Sequence, residues 1–178
     1  LDWLGKRRAE DGPWVLFVSL VSPHYPLNAP AAFYDLYDPA AIDLPLSYAE
    51  EERPTHPVVR KIMEASAYDR HFDEATIRRA RTGYYGLCSY VDDIVGQLLA
   101  ALDSCGQAEE TRVIFTSDHG DMLGNHGAWT KMLMYEDSVG IPMILAGPDV
   151  PEGHVNETPV SLIDIAPTLL STGGLAHG

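Results

Sequence analysis

The segment from Asp73 to Gly106 constrains the fold more than any other part of the sequence, because it predicts one long amphipathic helix. Asp73 can cap the first turn, and Gly106 is a typical residue at which a helix ends. Asp92 and Asp93 are interpreted as part of a solvated helix face. The apolar residues recur at spacings of three and four, which places them on one face: Ile77, Ala80, Tyr84, Leu87, Val91, Ile94, Leu98 and Leu102.

Three compact apolar runs predict strands. Trp14–Val21 is apolar at nearly every position, which is typical of a buried strand in a parallel sheet. Arg112–Ser117 predicts a second buried strand, and Ile141–Ala146 predicts a third, with Pro142 tolerable at its start. A last helix is predicted over Asp164–Leu170. Strands that alternate with helices in this way indicate an α/β layered sheet.

Residues 22–60 are dense in proline, which fixes φ and removes a backbone hydrogen-bond donor. We therefore expect irregular structure there, with at most one helical turn near Ala31–Tyr37. A loop this long inside a compact domain is often part of a functional site. The prolines are Pro23, Pro26, Pro30, Pro39, Pro45, Pro54 and Pro57.

Composition narrows the classes of partner. The net charge of −14 would repel phosphates, so we expect no nucleic-acid partner. The longest apolar runs are far too short to span a bilayer, so we also expect no membrane span. Cys88 and Cys105 are too few for a disulfide scaffold and lack metal-ligand spacing. Free cysteines favour a location in the bacterial cytoplasm, with the periplasm as the alternative. A homo-oligomer is a further alternative for the partners of the chain.

Polar side chains are concentrated where two predicted strands end. The first strand leads into Ser22–Pro26, and the second leads into the glycine-rich run Ser117–Gly127. Ligands of open α/β sheets bind outside the carboxyl ends of the strands. Both segments are therefore candidates for a site.

Asp118 and His119 are the candidate metal ligands of the second segment. A carboxylate and an imidazole at a strand end can converge on one cation if the chain turns, and Gly120 permits a turn. We expect both side chains to lie within coordination distance of one point. The alternative is that these polar residues only cap a strand-to-loop turn.

Seven segments together resemble the sulfatase family of the alkaline-phosphatase superfamily, most closely its choline-sulfatase-like and phosphonate-monoester-hydrolase-like branch. They occur in the family's order and cover nearly all of the chain between Pro13 and Gly174. The resemblance implies an α/β fold with a mixed, mostly parallel sheet flanked by helices, as in alkaline phosphatase, here as a partial domain. The segments are Ser22–Leu27, Tyr84–Gly86, Tyr90–Asp93, Ser117–Gly127, Lys131, Tyr135–Ser138 and Ser161–Leu170.

The resemblance also implies residue roles. Asp118 and His119 match the second pair of metal ligands; Ca²⁺ is the usual ion, Mn²⁺ or Mg²⁺ serves some relatives, and an imidazole ligand favours manganese or zinc. Lys131 matches the lysine that contacts the sulfuryl group and the bridging leaving oxygen, so it is assigned a catalytic and substrate-binding role. His24 matches a histidine near the leaving-group oxygen, with the role of general acid. The alternatives are a surface Lys131 and a structural His24; His126 is interpreted as structural.

The sequence departs from the family in its nucleophile. Sulfatases use a formylglycine made within a Cys/Ser-x-Pro-x-Arg motif, and neither Cys88 nor Cys105 lies in one. The family's paired acidic ligands of the first strand are also missing, and both features belong upstream of Pro13. Residues 1–178 are therefore expected to be a partial sulfatase catalytic domain that lacks the nucleophile and is inactive alone. Cys88 falls in the apolar stripe of the long helix and is expected to be buried and inert.

The predicted function is metal-dependent hydrolysis of a small-molecule sulfate monoester, for which this chain supplies half of the active site. The first alternative is a phosphonate monoester or phosphodiester hydrolase of the same superfamily, with the same residues and a different substrate pocket. The second alternative is a sulfatase-like fragment without catalysis that binds metal or a partner.

Overall fold

A computed structural model describes residues 1–66 and 72–175 of the chain, and one long helix dominates it. The α-helices are α1 (Ala31–Tyr34), α2 (Pro57–Ser66), α3 (Glu74–Ser104), α4 (Glu136–Val139) and α5 (Ile165–Thr172). The strands are β1 (Val113–Thr116) and β2 (Met143–Ala146). Short 3-10 helices lie at Leu4–Lys6, Ala9–Asp11, Pro39–Ala41, Glu50–Glu52, Ala108–Glu110, Asn125–Gly127 and Leu162–Asp164.

Helix α3 confirms the prediction made from apolar spacing. The Asp73 carboxylate accepts a hydrogen bond from the Thr76 amide at 2.7 Å and so caps the first turn. The helix ends before Gly106, which has φ of 72°, a conformation that glycine adopts without strain. Asp92 and Asp93 are exposed, as the pattern predicted. The side chains buried along α3 include Ile77, Leu87, Val91 and Leu102.

Two glycines of α3 let the proline-rich segment cross the helix at close range. A Cβ atom at Gly83 would lie 2.2 Å from the Leu27 carbonyl oxygen, and one at Gly86 would lie 2.8 Å from the Ala29 Cβ. Larger residues would force the backbone of residues 27–34 away from the helix. The close contact fixes the position of the chain that follows His24.

The two strands pair antiparallel, which corrects the prediction of a mostly parallel sheet. Thr116 of β1 faces Met143 of β2, and Val113 faces Ala146. A parallel neighbour needs a crossover, usually a long helix. Residues 117–142 contain only the 3-10 helix Asn125–Gly127 and the single turn α4, and they fold back on the carboxyl end of β1. The strands lie where the sequence predicted them, but they are not buried: β1 is half-exposed and most of β2 is exposed.

The prediction of a buried strand over Trp14–Val21 was wrong for the part of the chain that the structure describes. These residues form no ladder there, and Val15, Phe17 and Val21 are 78%, 86% and 80% exposed. A strand needs a neighbour for its backbone groups, and β1 is paired only with β2 within the described residues. The segment therefore has the amino-acid composition of a buried strand, although its apolar side chains are exposed in the described structure.

The proline-rich region is more regular than predicted at its end. The helical turn expected near Ala31–Tyr37 is present as α1, but helix α2 begins at Pro57, within the stretch expected to be irregular. Proline is favoured at the first position of a helix, because its missing amide would have no partner there. The position of Pro57 was thus a helix start rather than a helix breaker.

A small core lies between α2 and the loop after β1. Met63 of α2 packs with Met122, Ala128 and Leu133, all buried, and Met122 is fully enclosed. This cluster attaches residues 118–133 to α2, so the polar side chains of that loop are held by apolar contacts beneath them. None of the helices in the described residues is both long and apolar enough to cross a membrane.

Candidate active site

The four residues singled out from the sequence lie together beyond the carboxyl end of β1. Asp118 Oδ2 and His119 Nε2 are 3.5 Å apart, and Lys131 Nζ is 2.7 Å from His24 Nε2. The two pairs adjoin, because the rings of His24 and His119 meet edge to face with centroids 5.9 Å apart. Two chain segments more than ninety residues apart in sequence thus meet at this point.

The hydrogen bonds of His119 leave one ring nitrogen available to a metal ion. Its Nδ1 lies 2.7 Å from the Gly120 carbonyl oxygen, which can only accept, so Nδ1 carries the hydrogen. In the neutral imidazole, Nε2 then carries the electron pair that can bind a metal ion, and it lies beside the Asp118 carboxylate. Ligands bound at about 2.0–2.6 Å from one ion lie roughly 3–3.5 Å from each other, so the two atoms fit a shared cation. Within residues 1–66 and 72–175 no third His, Cys, Asp or Glu joins them.

His24 is oriented in the same way and receives Lys131. Its Nδ1 lies 2.9 Å from the Tyr25 carbonyl oxygen, so Nδ1 carries the hydrogen and Nε2 accepts from the Lys131 ammonium. The ring also stacks on Tyr25, with centroids 4.2 Å apart and planes 30° apart. Lys131 is consequently not a free surface lysine: its head group is held at a fixed place near the candidate metal ligands.

Gly120 serves this site by close approach and not by a left-handed turn. A Cβ at this position would lie 2.1 Å from the Asp137 carbonyl oxygen, and the Gly120 amide donates to the Ser138 carbonyl at 2.8 Å. The φ angle of Gly120 is outside the left-handed region, in contrast to the role expected from the sequence. The glycine instead lets α4 pack closely against the backbone directly after the two candidate ligands.

The rest of the loop is fixed by polar contacts with other segments. Asn125 donates from Nδ2 to Asp137 Oδ1 at 2.6 Å and accepts the Leu46 amide at 2.9 Å. Arg81 of α3 donates to the Leu123 carbonyl at 2.9 Å. The proline-rich region and α3 therefore both hold the loop that carries Asp118, His119 and Lys131.

Asp121, Asn125 and Thr130 were missed by sequence reasoning. Asp121 accepts the amide hydrogen of Leu123 two residues on, as Asp does in turns, whereas Asn125 accepts that of the distant Leu46. The density of Gly, Asp and Asn between residues 118 and 127 was the available signal. Nothing in the sequence indicates a special role for Thr130, because threonine rarely adopts the left-handed backbone conformation that Thr130 has, with φ of 67°.

His126 and Cys88 were expected to be structural, and their surroundings agree in different degrees. The His126 ring stacks on Tyr135, with centroids 4.3 Å apart and planes 20° apart. Cys88 is only half-buried, so the prediction of a buried thiol holds in part. Burial raises the pKa of the Cys88 thiol, against a smaller lowering by the hydrogen bond with Tyr84. Burial also raises the pKa of Tyr84.

A carboxylate, two oriented imidazoles and a lysine beyond one strand end are groups that can together bind a cation and an anionic group. Comparison with known families is more specific: the sulfatase family matches residues 1–175. The chain belongs to the sulfatase family.

Individual relatives support this assignment. The chain is 37% identical over 166 residues to a choline-sulfatase of Rhizobium meliloti (strain 1021), which covers 92% of the chain and 32% of that protein. It is 31% identical over 176 residues to an arylsulfatase of Clostridium perfringens, covering 96% of the chain and 36% of that protein. A solved phosphonate monoester hydrolase of Agrobacterium radiobacter is 26% identical with a TM-score of 0.80, covering 98% and 37%. The chain therefore spans about a third of the length of these relatives.

Proposed function

We propose that the chain forms part of the active site of a sulfatase that hydrolyses small-molecule sulfate monoesters. The observation that carries this proposal is the juxtaposition of the Asp118–His119 pair with the Lys131–His24 pair. A sulfate ester is an anion whose leaving oxygen gains charge as the S–O bond breaks, and this arrangement places positive charge where such an anion would bind.

Asp118 and His119 would hold a divalent cation. The orientation of Nε2 of His119 and its distance from the Asp118 carboxylate support this role. We propose Ca²⁺, with Mn²⁺ and Mg²⁺ as alternatives, since all three bind carboxylate oxygen and the imidazole favours manganese. When bound, such an ion would polarise an oxygen of the ester. Two ligands alone rarely hold a hard cation against water, so further ligands would come from outside residues 1–66 and 72–175.

Lys131 would neutralise charge on the transferring group and on the bridging oxygen. Its ammonium has three hydrogens, and only one is directed to His24 Nε2. The remaining two can reach a bound anion. Nε2 of His24 accepts a hydrogen bond from Lys131, which supports His24 as the group that orients Lys131. The same contact gives less direct support to the general-acid role implied by the resemblance, because a general acid must donate a hydrogen.

The attacking group would come from outside the chain. Neither cysteine stands in a formylglycine motif, and Cys88 lies half-buried on α3. In the full-length gene product a formylglycine hydrate would attack sulfur, while the residues of this chain bind and orient the ester.

A phosphonate monoester hydrolase is the second candidate. It is favoured by the likeness to the solved enzyme of that name, which covers 98% of this chain at a TM-score of 0.80. A phosphonate monoester also presents an anionic centre with a leaving oxygen, so the same four residues would serve both reactions. The substrate pocket distinguishes the two functions.

The test is a parallel assay of the purified full-length gene product on an aryl sulfate and an aryl phosphonate monoester. We expect greater kcat/KM on the sulfate, loss of activity with chelator, and recovery with Ca²⁺ or Mn²⁺. Asp118→Ala should lower metal affinity and activity together. Asp92→Ala removes an exposed carboxylate from α3 and should change neither. Greater turnover of the phosphonate would favour the second candidate, and inactivity on both esters would favour a non-catalytic role.

A further inference from the structure

Unusual backbone conformations are concentrated in the loop that carries the candidate site. Leu123, His126 and Thr130 have φ angles of 46°, 57° and 67°, in the left-handed region that favours glycine. Thr130 is the most unusual of the three, because a β-branched side chain crowds the backbone there. Its hydroxyl is buried and has no hydrogen-bond partner among the described residues. Strained residues of this kind persist only when the surroundings hold them, and they cluster at functional sites.

One carboxylate oxygen holds two of these residues. Asp121 Oδ1 accepts the Leu123 amide hydrogen at 3.0 Å and the Thr130 amide hydrogen at 3.1 Å. The Thr130 carbonyl in turn accepts the Met122 amide at 2.7 Å. Thr130 is thus held at its N–H by Asp121 and at its C=O by Met122. Hydrogen bonds to a carboxylate are stronger than neutral ones, which suits a contact that must oppose strain.

The held residue directly precedes Lys131. Ala128 and Leu133, on either side of the Trp129–Met132 stretch, are buried in the core beneath the loop. With both ends anchored, the direction in which the chain presents Lys131 depends on the backbone of Thr130. In the left-handed conformation Lys131 Nζ lies 2.7 Å from His24 Nε2.

We propose that Asp121 is a positioning residue: it holds Thr130 in the left-handed conformation and thereby places Lys131 against His24. Asp121 is two residues from His119, but its Oδ1 is occupied by two amide hydrogens. No group of three metal-ligating side chains occurs within residues 1–66 and 72–175, so Asp121 does not complete a site with Asp118 and His119 there. The effect of Asp121 on reaction rate rests on the proposed function of Lys131, whereas its effect on the loop does not.

The first experiment measures amide hydrogen exchange over residues 119–131 in the full-length gene product. Asp121→Ala removes the acceptor, so exchange of the Leu123 and Thr130 amides should accelerate by about tenfold or more. Asp121→Asn keeps an acceptor oxygen and should restore most of the protection. Asp38→Ala is the matched control, because Asp38 also accepts the amide two residues ahead, that of Ala40, at 2.9 Å. Unchanged exchange in Asp121→Ala would overturn the proposal.

The second experiment measures kcat and KM of the same variants on the preferred ester. Asp121→Ala should lower kcat on the order of 10²-fold, as expected for a misplaced catalytic group, with KM changed less. The kcat of Asp121→Asn should stay within about tenfold of the wild-type value. The kcat of Asp38→Ala should equal the wild-type value. Wild-type kcat in Asp121→Ala, in a protein that Lys131→Ala inactivates, would overturn the positioning role.

A second background separates strain from simple loss of a contact. Glycine adopts φ near 67° without strain, so in Thr130→Gly the chain needs less support from Asp121. The loss of kcat on Asp121→Ala should therefore be several-fold smaller in that background than in the wild type. Equal losses in both backgrounds would refute the proposed mechanism. If Lys131→Ala leaves activity unchanged, the proposed function of Lys131 fails, and the exchange experiment alone then decides whether Asp121 holds the loop.

Discussion

The Lys131 ammonium is held by an acceptor whose own orientation is fixed. His24 keeps Nε2 toward Lys131 because its Nδ1 is bonded to the Tyr25 carbonyl. A cation fixed before the substrate arrives stabilises developing charge without having to reorganise during the reaction. The energetic value of Lys131 should therefore depend on how much charge the leaving oxygen acquires.

A leaving-group series tests this dependence. Lys131→Ala in the full-length gene product should lower kcat by about 10²–10³ for poor leaving groups, because a preorganised charge is lost. The loss should shrink for leaving groups that are already stable anions. Lys131→Arg should rescue little, since the planar guanidinium does not replace a compact ammonium beside His24. Exposed Lys61 on α2 offers the control, and Lys61→Ala should leave the series unchanged.

The measurement is the slope of log kcat against leaving-group pKa for wild type and variant. A steeper slope for Lys131→Ala agrees with contact to the bridging oxygen. Parallel lines would remove Lys131 from that role and leave it only a contact to the non-bridging oxygens.

Helix α3 contains an internal comparison between two glycines. At Gly83 an added Cβ would lie 2.2 Å from the Leu27 carbonyl oxygen, whereas at Gly96 nothing lies within 4 Å. Gly83→Ala should lower the free energy of unfolding by about 1–3 kcal/mol through overpacking. It should also lower kcat, because His24 lies only three residues before the displaced Leu27. Gly96→Ala should instead raise the free energy of unfolding by about 0.5–1 kcal/mol, as expected in a helix interior.

Thermal unfolding and kcat of the two variants check this prediction in the full-length gene product. A shift of roughly 1 °C in Tm is expected for each kcal/mol in a protein of the relatives' length, downward for Gly83→Ala and upward for Gly96→Ala. Equal stabilities would show that the backbone near Leu27 yields without cost, and the close crossing would then not explain the glycine.

Local signals were sufficient for elements whose cause is local. The apolar spacing and the Asp73 cap predicted α3, and the polar run after β1 made Asp118 and His119 candidates, whereas Lys131 was assigned its role only through the family resemblance. The pairing of β1 with β2 was not predictable, because antiparallel return depends on how residues 117–142 fold back and not on either strand. The contacts of Asp121 were missed for the same reason: its two amide partners lie two and nine residues away, and only the folded loop brings them together.

The distribution of apolar side chains across the molecule indicates how this chain contributes to a longer protein. Phe17 is 86% exposed within a nearly continuous apolar segment, and the family relatives are about three times as long as the chain. Contiguous apolar surface of this kind marks an interaction site. We expect additional chain in a full-length product to cover Trp14–Val21.

Substitution of Phe17 tests that expectation. If the segment is covered, Phe17→Ala in the full-length gene product should lower the free energy of unfolding by about 3–5 kcal/mol. If Phe17 stays exposed, the change should be within about 0.5 kcal/mol. Leu36→Ala is the control, because Leu36 is a single apolar side chain, 65% exposed, between Asp35 and Tyr37 in the sequence. Urea unfolding at constant m-value provides the measurement, and a neutral result for Phe17→Ala would contradict the expectation.

The register of the two strands makes residues 117–142 a loop whose two ends lie side by side. The chain leaves the ladder at Thr116 and re-enters at Met143, its direct partner, so both ends of the loop are neighbours in space. Of the four candidate site residues, Asp118, His119 and Lys131 lie inside it, and His24 comes from outside. The length and sequence of such a segment can change without altering the strand register, provided that its two ends stay neighbours and its contacts with α2, α3 and Leu46 are kept or replaced together. New chemistry on this fold, whether evolved or grafted, would thus be expected to replace residues 117–142 as one segment.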